Sequence, residues 1–183
     1  MTAIRVDSSE VPVLIDAVGR SEGAREVEVR GRVTGIIEKR LYREGEPIQA
    51  GAPMFEIDRA PFEIALAQAR ATLAQERSRN EQATREAERL RQLVAQRAIS
   101  QREYDDATTA LKSSSAALQA ALARVREAEL NLSYTVVTAP ISGITGRALR
   151  SEGSLVLAGT ESSLLTTIAQ TDPVWVRFAL SER

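Results

Sequence analysis

Two stretches of this sequence are copies of one another. At a constant offset of 108 positions, Val29 falls on Val137, Val33 on Ile141, Gly35 on Gly143, Ile36 on Ile144, Lys39 on Arg147 and Leu41 on Leu149. The match continues with Glu44-Gly45 on Glu152-Gly153, Ile48 on Val156, Ala50 on Ala158 and Gly51 on Gly159, over about twenty-five positions. Glycines that recur in register mark backbone conformations other residues tolerate poorly, so this is a repeat of structure and not of composition alone. Each copy reads as strand, Gly turn, strand, Glu-Gly turn, short strand, Gly turn, strand. One such half has an apolar face with nothing to cover it. Two halves packed face to face bury both faces and predict a small β-sandwich with pseudo-twofold symmetry.

Between the copies lies a segment of different character. Residues 61–133 are rich in Ala, Leu, Arg, Glu and Gln, contain no Gly, and have no Pro after Pro61, which is helical composition. All ten glycines lie outside it. Tyr104, Leu111, Leu118, Val125 and Leu132 recur every seven residues, and Ala107, Ser114, Ala121 and Ala128 repeat three positions later. That is an a/d coiled-coil seam. Upstream, Leu66, Leu73, Asn80, Ala87 and Val94 form one series, with Ala69, Glu76, Ala83 and Leu90 as a weaker second. Ser100 and Glu103 form an S-x-x-E capping box that starts a new helix at Ser100. The join Arg97-Ala98-Ile99-Ser100 is short enough to force the helices antiparallel. The segment is therefore a hairpin of two helices of roughly 33–36 residues, each about 50 Å long at 1.5 Å per residue. Asp105 and Asp106 are placed in the first turn of the second helix, where carboxylates favour the dipole. Pro61 suits the first turn of the first helix, which has no strong cap nearby.

Several function classes are excluded by what the chain lacks. It has no cysteine and no histidine, which removes disulfides, thiol nucleophiles, Ser-His-Asp chemistry and His- or Cys-based metal sites. The formal charge is −1 with both signs interspersed, so no basic patch is laid out for nucleic acid or an anionic lipid surface. No stretch approaches the ~18 consecutive apolar residues of a membrane span, and Met1-Thr2-Ala3-Ile4-Arg5 has no secretory-signal layout. Asp105 and Asp106 point about 100° apart on a helix and make a poor acid/base pair. Ser113-Ser114-Ser115 reads as a close-packed stretch of helix, not a nucleophile.

The repeated V-x-G-x-I and E-G-x-x-V-x-x-G strings resemble the lipoyl/biotinyl, or barrel-sandwich hybrid, domain. With a helical hairpin inserted where the carrier-lysine loop would be, the chain resembles the membrane fusion proteins, the periplasmic adaptors of tripartite efflux pumps, of resistance–nodulation–division type. Supporting strings are Phe55-Glu56-Ile57-Asp58, Thr138-Ala139-Pro140-Ile141-Ser142-Gly143 and Asp172-Pro173-Val174-Trp175-Val176-Arg177-Phe178. The fold implied is α+β, a split lipoyl-like sandwich with an inserted antiparallel coiled-coil hairpin. The expected divisions are 24–58 with 134–170 for the lipoyl-like domain, 59–133 for the hairpin, and 171–183 for the start of a β-barrel that the chain does not complete. Residues 1–23, with the run Val11-Pro12-Val13-Leu14-Ile15, are expected to be barrel or membrane-proximal strands whose partners are missing. They would be poorly ordered or pair between copies.

The resemblance implies a non-enzymatic adaptor that links an inner-membrane multidrug transporter to an outer-membrane channel. Copies would pack side by side as a trimeric or hexameric ring, in the periplasm, anchored to the inner membrane through a removed N-terminal leader or a lipid. It also implies that Arg89, Leu93 and Ser100, spaced by four and seven, contact the channel from the hairpin tip. On spacing alone the same residues read as a solvated helix position, a seam position and a helix cap. An adaptor for an ATP-driven exporter of proteins or macrolides is the alternative within the class. A lipoyl/biotinyl carrier domain would need an exposed lysine between the halves, but the only lysines are Lys39 and Lys112, so no cofactor is expected. Copper or silver binding through converging methionines is not expected either, with only Met1 and Met54 present. A generic coiled-coil module would leave the 108-residue repeat unexplained.

Overall fold

In a computed structural model, residues 19–178 are described. Eight strands and two long helices follow in the order β1 (Gly19–Arg30), β2 (Gly35–Arg40), β3 (Pro47–Ile48), β4 (Pro53–Ile57), α1 (Ala60–Ala95), α2 (Gln101–Ser133), β5 (Val136–Thr138), β6 (Gly143–Thr145), β7 (Leu155–Val156) and β8 (Leu164–Phe178). The strands form two four-stranded sheets, ordered β1-β8-β6-β3 and β5-β4-β2-β7.

The repeat is visible in the hydrogen bonds as a set of reciprocal pairs. Ile37 N donates to Ser154 O (3.0 Å) and its counterpart Thr145 N to Glu46 O (3.1 Å). Gly153 N donates to Ile37 O (2.8 Å), and Gly45 N to Thr145 O (2.9 Å). Side chains obey the same exchange. Arg40 N donates to Glu152 Oε1 (2.8 Å) and Ala148 N to Glu44 Oε1 (3.0 Å), so each repeated glutamate closes a backbone amide of the other half. Gly45, Gly51, Gly153 and Gly159 all have φ between 77° and 84°, which is why these four turns keep glycine.

The halves are not layers, as face-to-face packing of two copies had suggested. Each sheet takes two strands from each half, and the twofold carries one sheet onto the other: β1 onto β5, β2 onto β6, β3 onto β7, β4 onto β8. Exchange of strands ties the two halves together through backbone hydrogen bonds as well as apolar contact. Beyond Gly159 the second half inserts one 3-10 turn, Glu161–Ser163, which ends the sequence match. Past it the correspondence resumes three residues out of step: Leu41 N donates to Met54 O and Leu149 N to Leu165 O, both at 2.8 Å.

The core between the sheets holds Ile37, Met54, Phe55, Ile57, Val156, Leu165 and Ile168, all at 0–1% exposure. Burying each such side chain contributes about 1.5–3 kcal/mol. Tyr42 meets Phe55 edge to face at 5.3 Å between ring centres. Its hydroxyl is buried beside Thr166, and burial raises its pKa, keeping it a neutral phenol.

Two projections leave this sandwich. The hairpin leaves between β4 and β5, where Ile57 N donates to Thr135 O (2.8 Å). At the twofold-related place, between β8 and β1, a ribbon runs on from the sandwich. Residues 19–23 pair there with 174–178 of the same chain, from Gly19↔Phe178 to Gly23↔Val174. This differs from the expectation of strands without partners, because the continuing β8 supplies the pairing edge. The part of that expectation on residues 1–18 lies outside the described residues. A bulge separates ribbon from sandwich, with Gly23↔Val174 followed by Arg25↔Gln170. Pro173 falls inside it, where a missing N–H costs the ladder nothing.

Candidate docking tip of the helical hairpin

The hairpin consists of 36 residues in α1 and 33 in α2. The N-cap residue of α1, Arg59, makes no side-chain cap bond; Asp58 Oδ1 accepts from Ala60 N (3.0 Å) instead, and Pro61 occupies the first turn. The seam residues face inward: Leu66, Ala87, Ser114, Ala121 and Val125 are buried. Midway along, Asn80 Nδ2 donates to Ser114 Oγ (3.0 Å), which donates in turn to Leu111 O (2.9 Å). A polar pair at a seam position favours one register over its alternatives at some cost in stability. Nearer the base, Arg70 and Glu129 bridge the helices at 2.9 Å.

At the far end, α1 closes in a Schellman motif. Ala98 N donates to Leu93 O (2.9 Å) and Arg97 N to Val94 O (3.0 Å), satisfying the last carbonyls of the helix. The motif needs a left-handed residue, and here that residue is Arg97, with φ 61°. A side chain in this conformation costs roughly 1 kcal/mol relative to glycine. Sequence reasoning missed this cap because no glycine announced it.

The first turn of α2 carries the expected capping box. Glu103 N donates to Ser100 Oγ (3.3 Å), while Ser100 N and Oγ each donate to Glu103 Oε2 (2.9 Å). The backbone amide of Ser100, and then its hydroxyl, hold the Glu103 carboxyl below the usual glutamate range. A depressed folded pKa makes the contribution of this box complete above the ordinary glutamate pKa and lost as pH falls through the lower, folded one. Acid titration is therefore expected to fray the start of α2 before the seam opens, with amide protection factors at Ser100 and Glu103 that fall as the pH is lowered. Protection factors that stay flat across the carboxylate range would contradict this. Asp105 and Asp106 lie one turn further in than expected, since the helix begins at Gln101 and its first-turn acid is Glu103. Asp105 Oδ1 accepts from Gln101 Nε2 (3.0 Å).

The hairpin gathers Arg89, Leu93 and Ser100 at this end. Arg89 is exposed and ion-paired with Glu86, Leu93 is half-buried, and Ser100 is the exposed cap. Leu93 precedes the seam residue Val94 and belongs to neither seven-residue series, which leaves it on the flank of the coiled coil. The lysines are elsewhere: Lys39 lies in β2, 3.9 Å from Glu56, and Lys112 is exposed on α2. Met54 is fully buried in β4. Among the described residues no group of three or more Asp or Glu side chains is placed to hold a metal ion.

Residues 25–168 match the family model described as RND MFP, barrel-sandwich hybrid domain. The chain belongs to the RND-type membrane fusion proteins. Among its relatives, the efflux pump periplasmic linker BepD of Brucella suis is 44% identical over 98% of this chain and 45% of its own length. Membrane fusion protein MtrC of Neisseria gonorrhoeae is 40% identical over 97% of this chain and 43% of its own. The multidrug efflux pump subunit AcrA of Escherichia coli K12 is 36% identical over 94% of this chain and 43% of its own. This membrane fusion protein chain thus spans less than half the length of those relatives. Of the solved structures, a MacA-MexA chimera containing the Pseudomonas aeruginosa MexA α-hairpin domain has a TM-score of 0.53 at 30% identity, over 86% of this chain and 51% of that one. ZneB of Cupriavidus metallidurans shares the fold at 22% identity and a TM-score of 0.58, over 88% of this chain and 70% of that one. No described helix of this membrane fusion protein is long and apolar enough to cross a membrane.

Proposed function

We propose that this chain is the central part of a non-enzymatic periplasmic adaptor, linking an inner-membrane multidrug transporter of the proton-driven RND class to an outer-membrane channel. The observation that carries the reading is the placement of the two projections. The hairpin, a rod of about 50 Å, leaves the sandwich between β4 and β5, and the β1–β8 ribbon leaves it at the twofold-related place, so the two projections grow from different ends of the strand order. A part built this way bridges distance and does no chemistry.

In this reading Arg89, Leu93 and Ser100 contact the channel at the hairpin tip, and copies assemble side by side into a trimeric or hexameric ring around the export path. The adaptor sits in the periplasm, held at the inner membrane through a leader or lipid at its N-terminal side. The RND family match favours a proton-driven pump over an ATP-driven exporter as the partner. Co-purification from crosslinked cells tests the reading: the full adaptor should bring down both a transporter and an outer-membrane channel. Recovery of neither would contradict it.

A further inference from the structure

We infer that Arg97 is held in its left-handed conformation for the sake of its side chain, as a contact for an acidic or carbonyl-lined surface of the channel that docks on the hairpin tip. The inference rests on the docking role proposed for that tip. The Schellman turn at the end of α1 requires φ above zero, and Arg97 supplies it at 61°; it is the one described residue other than glycine with positive φ. Glycine, with no Cβ, adopts this conformation freely, and asparagine tolerates it better than most residues. The turn by itself gives no reason for arginine.

Nothing in the hairpin uses the side chain. Arg97 is exposed, and its guanidinium has no ion pair or hydrogen bond among the described residues. Arg70, Arg77, Arg79 and Arg89 of the hairpin are ion-paired, while Arg85, Arg91, Arg102, Arg124 and Arg126 are as open as Arg97 among the described residues; what sets Arg97 apart is its backbone conformation. Its surroundings are uncompensated as well. Residues 96–102 contain Arg97 and Arg102 and no acid, and the first carboxylate beyond them, Glu103, is engaged by Ser100. The positive end of the α2 dipole is offset there by the negative end of the α1 dipole, so the charge of this turn is that of its two arginines. The outermost turn of the hairpin is therefore cationic, and a strained residue with an idle guanidinium sits on it. A surface offering carboxylates or backbone carbonyls is the complement, and arginine is suited to bind either through its planar fork of donors. Strain retained at an exposed turn is common where the residue has a partner to meet.

The test compares Arg97→Gly, Arg97→Lys and Arg97→Glu in the full adaptor, with Leu93→Glu alongside, measuring thermal melting and binding to the purified outer-membrane channel at low and high salt. Arg97→Gly is expected to melt no lower than the parent yet bind at least about tenfold more weakly, with a shallower salt dependence. Arg97→Lys should keep part of the binding, and Arg97→Glu should lose it. If Arg97→Gly binds like the parent while Leu93→Glu does not, the arginine contact is overturned and tip docking stands. If Leu93→Glu also binds like the parent, tip docking itself fails, and the inference with it. A lower melting temperature for Arg97→Gly would make the arginine a structural residue and would likewise overturn it.

Discussion

Leu93→Glu in the full adaptor should abolish binding to the outer-membrane channel while leaving the hairpin helical. Leu93 is half-buried on the flank of the coiled coil, outside both seam series, so replacing it costs the packing of α1 on α2 less than replacing a buried seam residue such as Leu66 would. Its carbonyl accepts from Ala98 N at 2.9 Å, and that bond survives a change of side chain. Glutamate has good helix propensity, and a negative charge in the last turn costs about 0.3–1 kcal/mol against the dipole. The hairpin should tolerate that. A docking interface should not, because a carboxylate pressed into an apolar contact must be desolvated without a partner, at a cost of several kcal/mol. A loss of two or more orders of magnitude in affinity is expected, read by pull-down or surface binding, with unchanged far-ultraviolet circular dichroism. Parent-like binding would remove Leu93 from the interface.

The second large effect concerns the sandwich and tells its two halves apart. Gly35 and Gly143 are partners in the repeat, yet they meet different neighbours. A Cβ on Gly143 would lie 2.4 Å from the carbonyl oxygen of Ala169, whereas one on Gly35 would lie 2.6 Å from the Cγ2 methyl of Ile57. A methyl can turn or shift; a carbonyl in a paired strand takes its ladder with it. Gly143→Ala should therefore destabilise the sandwich by about 3 kcal/mol or more, and Gly35→Ala by about 1–2 kcal/mol. Urea denaturation of the two variants followed by tyrosine and tryptophan fluorescence measures the difference. Equal losses would mean that the β6-β8 approach relaxes as easily as the side-chain contact.

The same glycine pair marks where the sequence was readable and where it was not. That Gly35 and Gly143 sit in equivalent strands follows from the offset of 108, because a backbone requirement leaves the same residue in both copies. That one faces a backbone and the other a methyl depends on neighbours distant in sequence. Strand exchange between the halves was hidden for a related reason: layered and exchanged arrangements bury the same alternating apolar residues, and only long-range pairing separates them. The hairpin was legible almost residue by residue, because seven-residue spacing and a capping box are local signals. Tyr104, Ser114, Ala121 and Val125 all face inward as the spacing requires. At the tip, Ser100 announced its cap through Glu103, while the Schellman turn one residue group earlier went unseen because arginine stands where glycine would have flagged it. The ribbon was missed for want of a partner in the reading: residues 19–23 could be matched with 174–178 only once β8 was known to continue past Pro173.

The central claim is directional: the tip of the hairpin meets the outer-membrane channel and its base does not. These 183 residues contain no cysteine, so single cysteines can be placed in the hairpin once any reactive cysteine elsewhere in the full adaptor has been replaced by serine. Gln96→Cys lies at the tip, Gln75→Cys partway along α1 and Gln68→Cys near the base, all at exposed positions. With a short bifunctional crosslinker in cells carrying the full adaptor, transporter and channel, Gln96→Cys should crosslink to the channel and Gln68→Cys should not. Crosslinking to the channel from Gln68→Cys but not from Gln96→Cys would reverse the polarity of the rod and contradict the account.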